Sequence, residues 1–352
     1  MTTPQINSAE QEDYKVARYK WGYMDKTGNL VIRAQYDDTR DFEDGLAAIQ
    51  LKGQWGFINM QGEIVIEPQY KGAWAFQEGL SRVLTWEGKM GFINLVGRWV
   101  IPDTLEEVSD FHDGFARVKK QELYGYINKK GALMIPAEFV SASDFEHGYA
   151  KAQRSMKQGL IDTTGNWVIN DEYDRIALPA DSLVRAKQGN KYGFLNLKAQ
   201  VVIPFSFEDA SDFSNGVAAV KTADGYGLID KSGAYISNFR YDHAWYANES
   251  RWVVEKEGKF GAVDATGKNI IPILYDQIFP FSNGRTFYRS DFTWGLMDSL
   301  GKQITPPQFG LVWEYREGLA RVAFYEGIGY IDEMAMLTCR QSSWMLEIFQ
   351  EV

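Results

Sequence analysis

The reactive side chains are few and poorly placed for catalysis. The chain has 3 histidines and 1 cysteine among 352 residues. His112 and His147 occupy matching loops, Phe111-His112-Asp113-Gly114 and Phe145-Glu146-His147-Gly148. Two imidazoles with no further ligand beside them do not supply the donors a zinc ion needs. His243 stands apart from both. Cys339 has no histidine nearby to activate it, so it is not read as a nucleophile. Asp or Asn recurs at Asp25, Asn59, Asn94, Asn128, Asp162, Asn196, Asp230, Asp264, Asp298 and Asp332. Each turn offers too few acidic oxygens for calcium. A side-chain oxygen accepting backbone N–H groups at the start of a tight turn explains the series. Neither a glycine-rich phosphate loop nor a Gly-x-Ser-x-Gly elbow occurs. The expectation is therefore no enzyme, no metal and no cofactor.

Composition narrows the partners. There are 37 Lys plus Arg against 47 Asp plus Glu, a net charge of −10. A phosphate backbone calls for a basic surface, so nucleic acid is not an expected partner. No apolar run approaches the length of a membrane-spanning helix, and membrane insertion is not expected. The first residues, MTTPQINSAEQEDYK, are polar and acidic and lack the basic and apolar regions of a signal peptide. The expected location is cytoplasmic, with export by a route lacking such a signal as the alternative. With 33 Gly, 19 Tyr, 21 Phe and 11 Trp, the chain is rich in turn formers and strand aromatics.

The elements that carry these residues are set by a repeat. A glycine followed by two apolar residues and Asp or Asn occurs at Gly22, Gly56, Gly91, Gly125, Gly159, Gly193, Gly227, Gly261, Gly295 and Gly329. The spacing is 34 residues throughout, except for one step of 35. Each unit reads as a strand such as Trp55-Gly-Phe-Ile58, a turn such as Asn59-Met-Gln-Gly62, and a second strand, Ile64-Val-Ile66. Proline commonly closes that strand, as at Pro68, Pro102, Pro136, Pro204, Pro272 and Pro306. A Tyr-Asp loop and a Phe-x-x-Gly signal follow, as at Phe76/Gly79. A third strand such as Leu80-Ser-Arg-Val83 ends the unit, and a polar hairpin leads into the next.

Strands this short, without a sustained 3.6 period, predict an all-β fold. Three residues past the turn glycine, Val31, Val65, Val100, Met134 and their equivalents are apolar, which predicts a strand covered on both faces. A lone three-stranded sheet is not stable, so neighbouring sheets should stack. The fold expected is an open twisted or superhelical array of about ten tandem antiparallel β-meander repeats, with a propeller-like ring as the alternative. Residues 1–14 are expected to form a polar N-terminal segment, 15–332 the array, and 333–352 an atypical tail read as a cap, with a truncated repeat as the alternative. Two units lack Phe-x-x-Gly, reading Ala177-Leu-Pro-Ala-Asp-Ser182 and Ala244-Trp-Tyr-Ala-Asn248. Ala199 replaces one turn glycine.

Lys20-Trp-Gly-Tyr-Met-Asp25, Gln54-Trp-Gly-Phe-Ile-Asn59 and Tyr192-Gly-Phe-Leu-Asn196, with the Val-Ile-Pro, Tyr-Asp and Phe-x-x-Gly-Leu-Ala-x-Val segments, resemble the bacterial WG (KWG) repeat family. The resemblance spans about residues 15 to 332. It implies a β-repeat and no shared catalytic residues.

A stacked repeat presents equivalent loops along one surface. Two positions before Phe-x-x-Gly stand Trp74, Phe279 and Trp313, where other units have Arg40, Ser109, Ser143 and Ser211. Such variation marks a position with access to solvent, where an aromatic can anchor a protein or stack on a sugar. Trp245, in the irregular segment, joins this candidate surface. The expectation is a non-catalytic scaffold for an unidentified protein partner. A carbohydrate or cell-envelope binding module is the alternative.

Overall fold

A computed structural model describes residues 20–26, 29–236, 240–325, 327–340 and 350–351. Among them the fold is entirely β, in ten separate sheets whose strands pair antiparallel except where Gln350–Glu351 joins Trp21–Met24. The array is open and superhelical rather than a propeller, and no sheet closes into a barrel. The third sheet shows the plan. Gly72–Ala73, Leu80–Leu84, Met90–Asn94 and Trp99–Leu105 lie side by side in chain order.

The sheet boundaries fall inside the sequence repeat. The strand after Phe-x-x-Gly pairs with the glycine strand that follows it, as in the six pairs from Leu46↔Asn59 to Leu51↔Gln54. A tight hairpin makes consecutive strands antiparallel neighbours. The chain instead passes to the next sheet after the tyrosine of the Tyr-Asp loop, between Ile64–Tyr70 and Gly72–Ala73. Each sequence unit therefore straddles two sheets.

The landmark glycine is explained by a close approach. A Cβ on Gly56 would lie 2.5 Å from the Ile66 carbonyl oxygen and 2.6 Å from the Pro68 nitrogen. There the ladder shifts register between Trp55 and Phe57, so the partner strand bulges onto the glycine. Proline belongs to this bulge and does not end the strand. Ile64–Tyr70 runs on beyond Pro68, as an edge strand that tolerates the missing N–H.

The turns behave as capping predicts. Asn59 Oδ1 accepts from the Gln61 and Glu63 amides at 3.0 and 2.9 Å. Equivalent pairs recur at Asn94, Asn128, Asp162, Asn196, Asp230, Asp264, Asp298 and Asp332. Ala199 adopts the glycine's conformation at φ 58, and Ala335 does so at φ 60. After Ala335 the strand Leu337–Arg340 pairs with Gly327–Ile331. The array thus continues past residue 332, where the sequence shows no glycine to mark the turn. Residues 341–349 and 352 of the tail expected at 333–352, the N-terminal segment at 1–14 and the start of the array at 15–19 lie outside the described residues.

Burial corrects one expectation. Val31, Val65, Val100, Met134 and Val202 are exposed. The next residue, Ile32, Ile66, Ile101, Ile135 or Ile203, is the buried one. Strand alternation puts neighbours on opposite faces, and only one face of this edge strand is covered. Ile32 packs where a Cβ on Gly62 of the following sheet would sit, 3.2 Å away. The sheets do complete one another. Phe57, Ile66 and Tyr70 of the second share a core with Ala73, Phe76, Val83 and Ile93 of the third.

Candidate interaction surface

One aromatic contact recurs between neighbouring sheets. The residue after the landmark glycine meets the Phe-x-x-Gly phenylalanine of the next sheet. Ring centroids are 4.8 Å apart for Tyr23 and Phe42, 4.9 Å for Phe57 and Phe76, 4.7 Å for Phe92 and Phe111, and 4.8 Å for Phe194 and Phe213. In the two irregular units Pro179 and Ala247 occupy the phenylalanine position, and the residues opposite are Leu160 and Leu228. Both leucines are buried, so the irregular units keep the packing with different side chains.

The Phe-x-x-Gly loop ends in a two-residue turn with both residues at positive φ, 53° at Glu78 and 82° at Gly79. Gln77 and Leu80 exchange backbone hydrogen bonds across it. This is a type I′ hairpin, which favours Asp-Gly and Asn-Gly. The acidic residue also reaches the next sheet. Asp44 accepts from the Gly79 amide at 2.7 Å, Glu78 from Gly114 at 3.1 Å, Asp113 from Gly148 at 2.7 Å, Asp181 from Gly216 at 2.6 Å and Glu249 from Gly284 at 3.0 Å. Where the receiving residue is Ser182 or Ser250, the acid is replaced by His147 or Asn215. Asn283 before Gly318 shows that the coupling is not absolute.

Arginines span the same junctions. Arg82 donates to the Val108 carbonyl and pairs with Asp110 at 3.2 Å. Arg117 donates to the Ala142 carbonyl. Arg185 reaches the Ala210 carbonyl at 2.9 Å and Asp212 at 2.8 Å. Around the first two pairs lies a cavity of about 280 Å³, lined also by Ser109, His112, Tyr124 and Asp144. Burial raises the Asp110 carboxyl and lowers the Arg82 guanidinium, each against the attraction of its partner. The cationic groups there are already engaged by protein oxygens. Neither His112 nor His147 belongs to a metal-ligating cluster among the described residues.

The four candidate aromatics fall at one structural position but do not form a single pocket. Trp74 is half-buried, with the Arg82 guanidinium 4.1 Å from its ring centroid. Trp313 is half-buried under Arg321 at 3.9 Å. Trp245 packs edge-on against Phe260 at 5.8 Å, and Phe279 against Trp294 at 4.7 Å. Where serine replaces the aromatic, a hydroxyl bond changes hands. Ser109, Ser143 and Ser211 accept from the amides of Arg117, Lys151 and Ala219. Beside Trp74 and Phe279 the hydroxyl sits on the adjacent strand, where buried Ser81 and Thr286 donate back to the aromatic residue's carbonyl at 2.7 Å.

The most exposed large apolar side chains lie elsewhere, at hairpin tips before the glycine strands. Met156 is 89% exposed, Phe292 is 93% exposed and Tyr325 fully so. Trp86 is also exposed, with its indole N–H donating to the Gln69 carbonyl. Sequence reading passed over these positions because it sought aromatics in the Phe-x-x-Gly register. The signal available was an aromatic where other units carry pairs such as Lys52-Gly53 or Glu257-Gly258.

A family profile described as "WG containing repeat" matches residues 21–55, 55–85, 90–124, 124–154, 159–192, 192–225, 226–260, 260–291 and 294–324. The chain belongs to the WG-repeat family. No curated protein matches the sequence of this WG-repeat chain. Among solved structures it is similar to a eukaryotic initiation factor, with 10% identity, a TM-score of 0.50, and coverage of 84% of this chain and 95% of that one. It is also similar to the computationally designed Ika8 protein, with 12% identity, a TM-score of 0.36 and coverage of 75% and 93%. BamB from Moraxella catarrhalis aligns with 13% identity, a TM-score of 0.33 and coverage of 64% and 79%. At 10% identity the likeness to the initiation factor concerns fold alone.

Proposed function

We propose that this WG-repeat protein is a non-catalytic scaffold that binds another protein through the exposed hairpin tips and the aromatic positions beside them. The observation that carries this reading is the exposure of Phe292 and Tyr325 on neighbouring sheets. At that exposure packing does not call for an aromatic at either position, and tyrosine and phenylalanine are favoured anchors in interfaces. Trp74, Trp245, Phe279 and Trp313 form a second tier, with Arg82 and Arg321 over Trp74 and Trp313. A guanidinium over the ring competes with a sugar for the same face, which favours a protein partner over a glycan. The cytoplasm is the proposed setting, to be checked by fractionation.

The test is affinity capture of the intact protein from its host, read by mass spectrometry. A specific partner retained by the wild type and lost from Phe292→Ala/Tyr325→Ala supports the reading. Retention on immobilised glycan that disappears in Trp74→Ala/Trp313→Ala, with no protein partner, would replace it with the envelope-binding alternative.

A further inference from the structure

Among the described residues, the first sheet lacks the antiparallel strand that precedes the glycine strand in every other sheet. In the second sheet the strand Gln54–Asn59 is flanked by Leu46–Leu51 through six register pairs. In the first sheet the equivalent edge of Trp21–Met24 is met, among the described residues, only by Gln350–Glu351, paired parallel as Tyr23↔Gln350 and Met24↔Glu351. Gln350 thereby takes the register position that Ala48 holds opposite Phe57 and Arg82 holds opposite Phe92. The parallel sense follows from chain order. A hairpin delivers an antiparallel neighbour, whereas a strand arriving from the far end of the chain is free to run either way.

A second contact, independent of that strand, brings the same two ends together. Lys26 pairs with Glu317 at 2.9 Å. Lys129 pairs with Glu78 at 3.0 Å. Lys26 follows the turn residue Asp25 as Lys129 follows Asn128, and Glu317 precedes Gly318 as Glu78 precedes Gly79. Glu78 and Lys129 join the third sheet to the fourth. By this contact the first sheet stands to the tenth as the fourth stands to the third. An exposed ion pair is worth at most about 1 kcal/mol, so it cannot hold two ends of an array by itself. Backbone pairing on an open edge supplies what the ion pair lacks.

We propose that the open edge of Trp21–Met24 is a strand-accepting site, and that its occupant is the C-terminal strand of this same chain. Seated there, the strand clasps the first sheet against the tenth and fixes the curvature of the array.

The test introduces Met24→Cys and Glu351→Cys in a full-length Cys339→Ser background. Mild oxidation should give a cross-linked monomer. Failure to cross-link overturns the proposal, and a cross-linked dimer overturns it in favour of a strand supplied by a second copy. Lys26→Glu should slow cross-linking several-fold, with Glu317→Lys in the same chain restoring the rate. An unchanged rate in Lys26→Glu would remove the end-to-end contact from the argument. In the full chain carrying Gln350→Pro/Glu351→Pro, hydrogen exchange at the Met24 amide should rise about tenfold, while the Tyr23 amide, which faces Leu30–Tyr36, and the third to sixth sheets keep their protection. Unchanged exchange at the Met24 amide would overturn the proposal, because another segment would then cover the edge.

Discussion

At the residue scale, two kinds of glycine do different work, and alanine tests both. Gly56 faces backbone atoms of the partner strand that a Cβ would meet at 2.5 Å. Gly56→Ala should destabilise the chain by about 3 kcal/mol, because backbone cannot move aside as a side chain can. Ala199 has the opposite problem, a Cβ at φ 58 where other units have glycine. Ala199→Gly should stabilise by about 1 kcal/mol. Denaturant midpoints of the two variants check both signs. Charged residues have their own recurring pair. Asp37, Asp174 and Asp276 are held below the usual carboxylate range by hydrogen bonds from Lys20, Lys157 and Lys259. The folded chain therefore binds these protons less tightly than the unfolded chain does. The stability they contribute is complete above about pH 4 and is lost as pH falls through the lowered values. Urea midpoints should fall below that pH, and Asp174→Asn/Asp276→Asn should flatten the decline.

At the element scale, the bonds between successive type I′ turns matter most. Asp113 joins its own turn to Gly148 of the next sheet. Asp113→Ala leaves that amide without its carboxylate and should cost about 1 kcal/mol. His147 lacks such a carboxylate, and the next turn holds Ser182 at φ 69. His147→Asp should restore an acceptor and stabilise by a similar amount, read from thermal melts. The irregular units thus differ in a few bonds and keep the path of the chain. Phe76 and Phe111, by contrast, are buried against the preceding sheet, and truncating either to alanine should cost about 3–5 kcal/mol.

At the scale of the whole molecule, the proposed function separates stability from recognition. Its cores lie between sheets, so the hairpin tips vary without disturbing them. Phe292→Ala/Tyr325→Ala should shift unfolding by less than about 0.5 kcal/mol while removing partner capture. A large loss of stability would assign these side chains to packing instead. On the proposed reading, the WG-repeat chain is a scaffold whose specificity is written at its tips, and the proposed strand pairing holds its curvature where its first and tenth sheets meet.

The amino-acid sequence alone determined the repeat, the all-β class, the capped turns and the stacking of sheets. These follow from local rules of φ, side-chain acceptors and apolar alternation, which act within one unit of chain. It did not reveal which face of the edge strand is covered, because Val65 and Ile66 are equally apolar and only the neighbouring sheet decides between them. Nor did it show that each unit straddles two sheets, that Pro68 sits in a bulge, or that Trp74 lies under Arg82. The meeting of Lys26 with Glu317 was likewise invisible, since the curvature accumulated over ten sheets brings together residues that no local pattern connects.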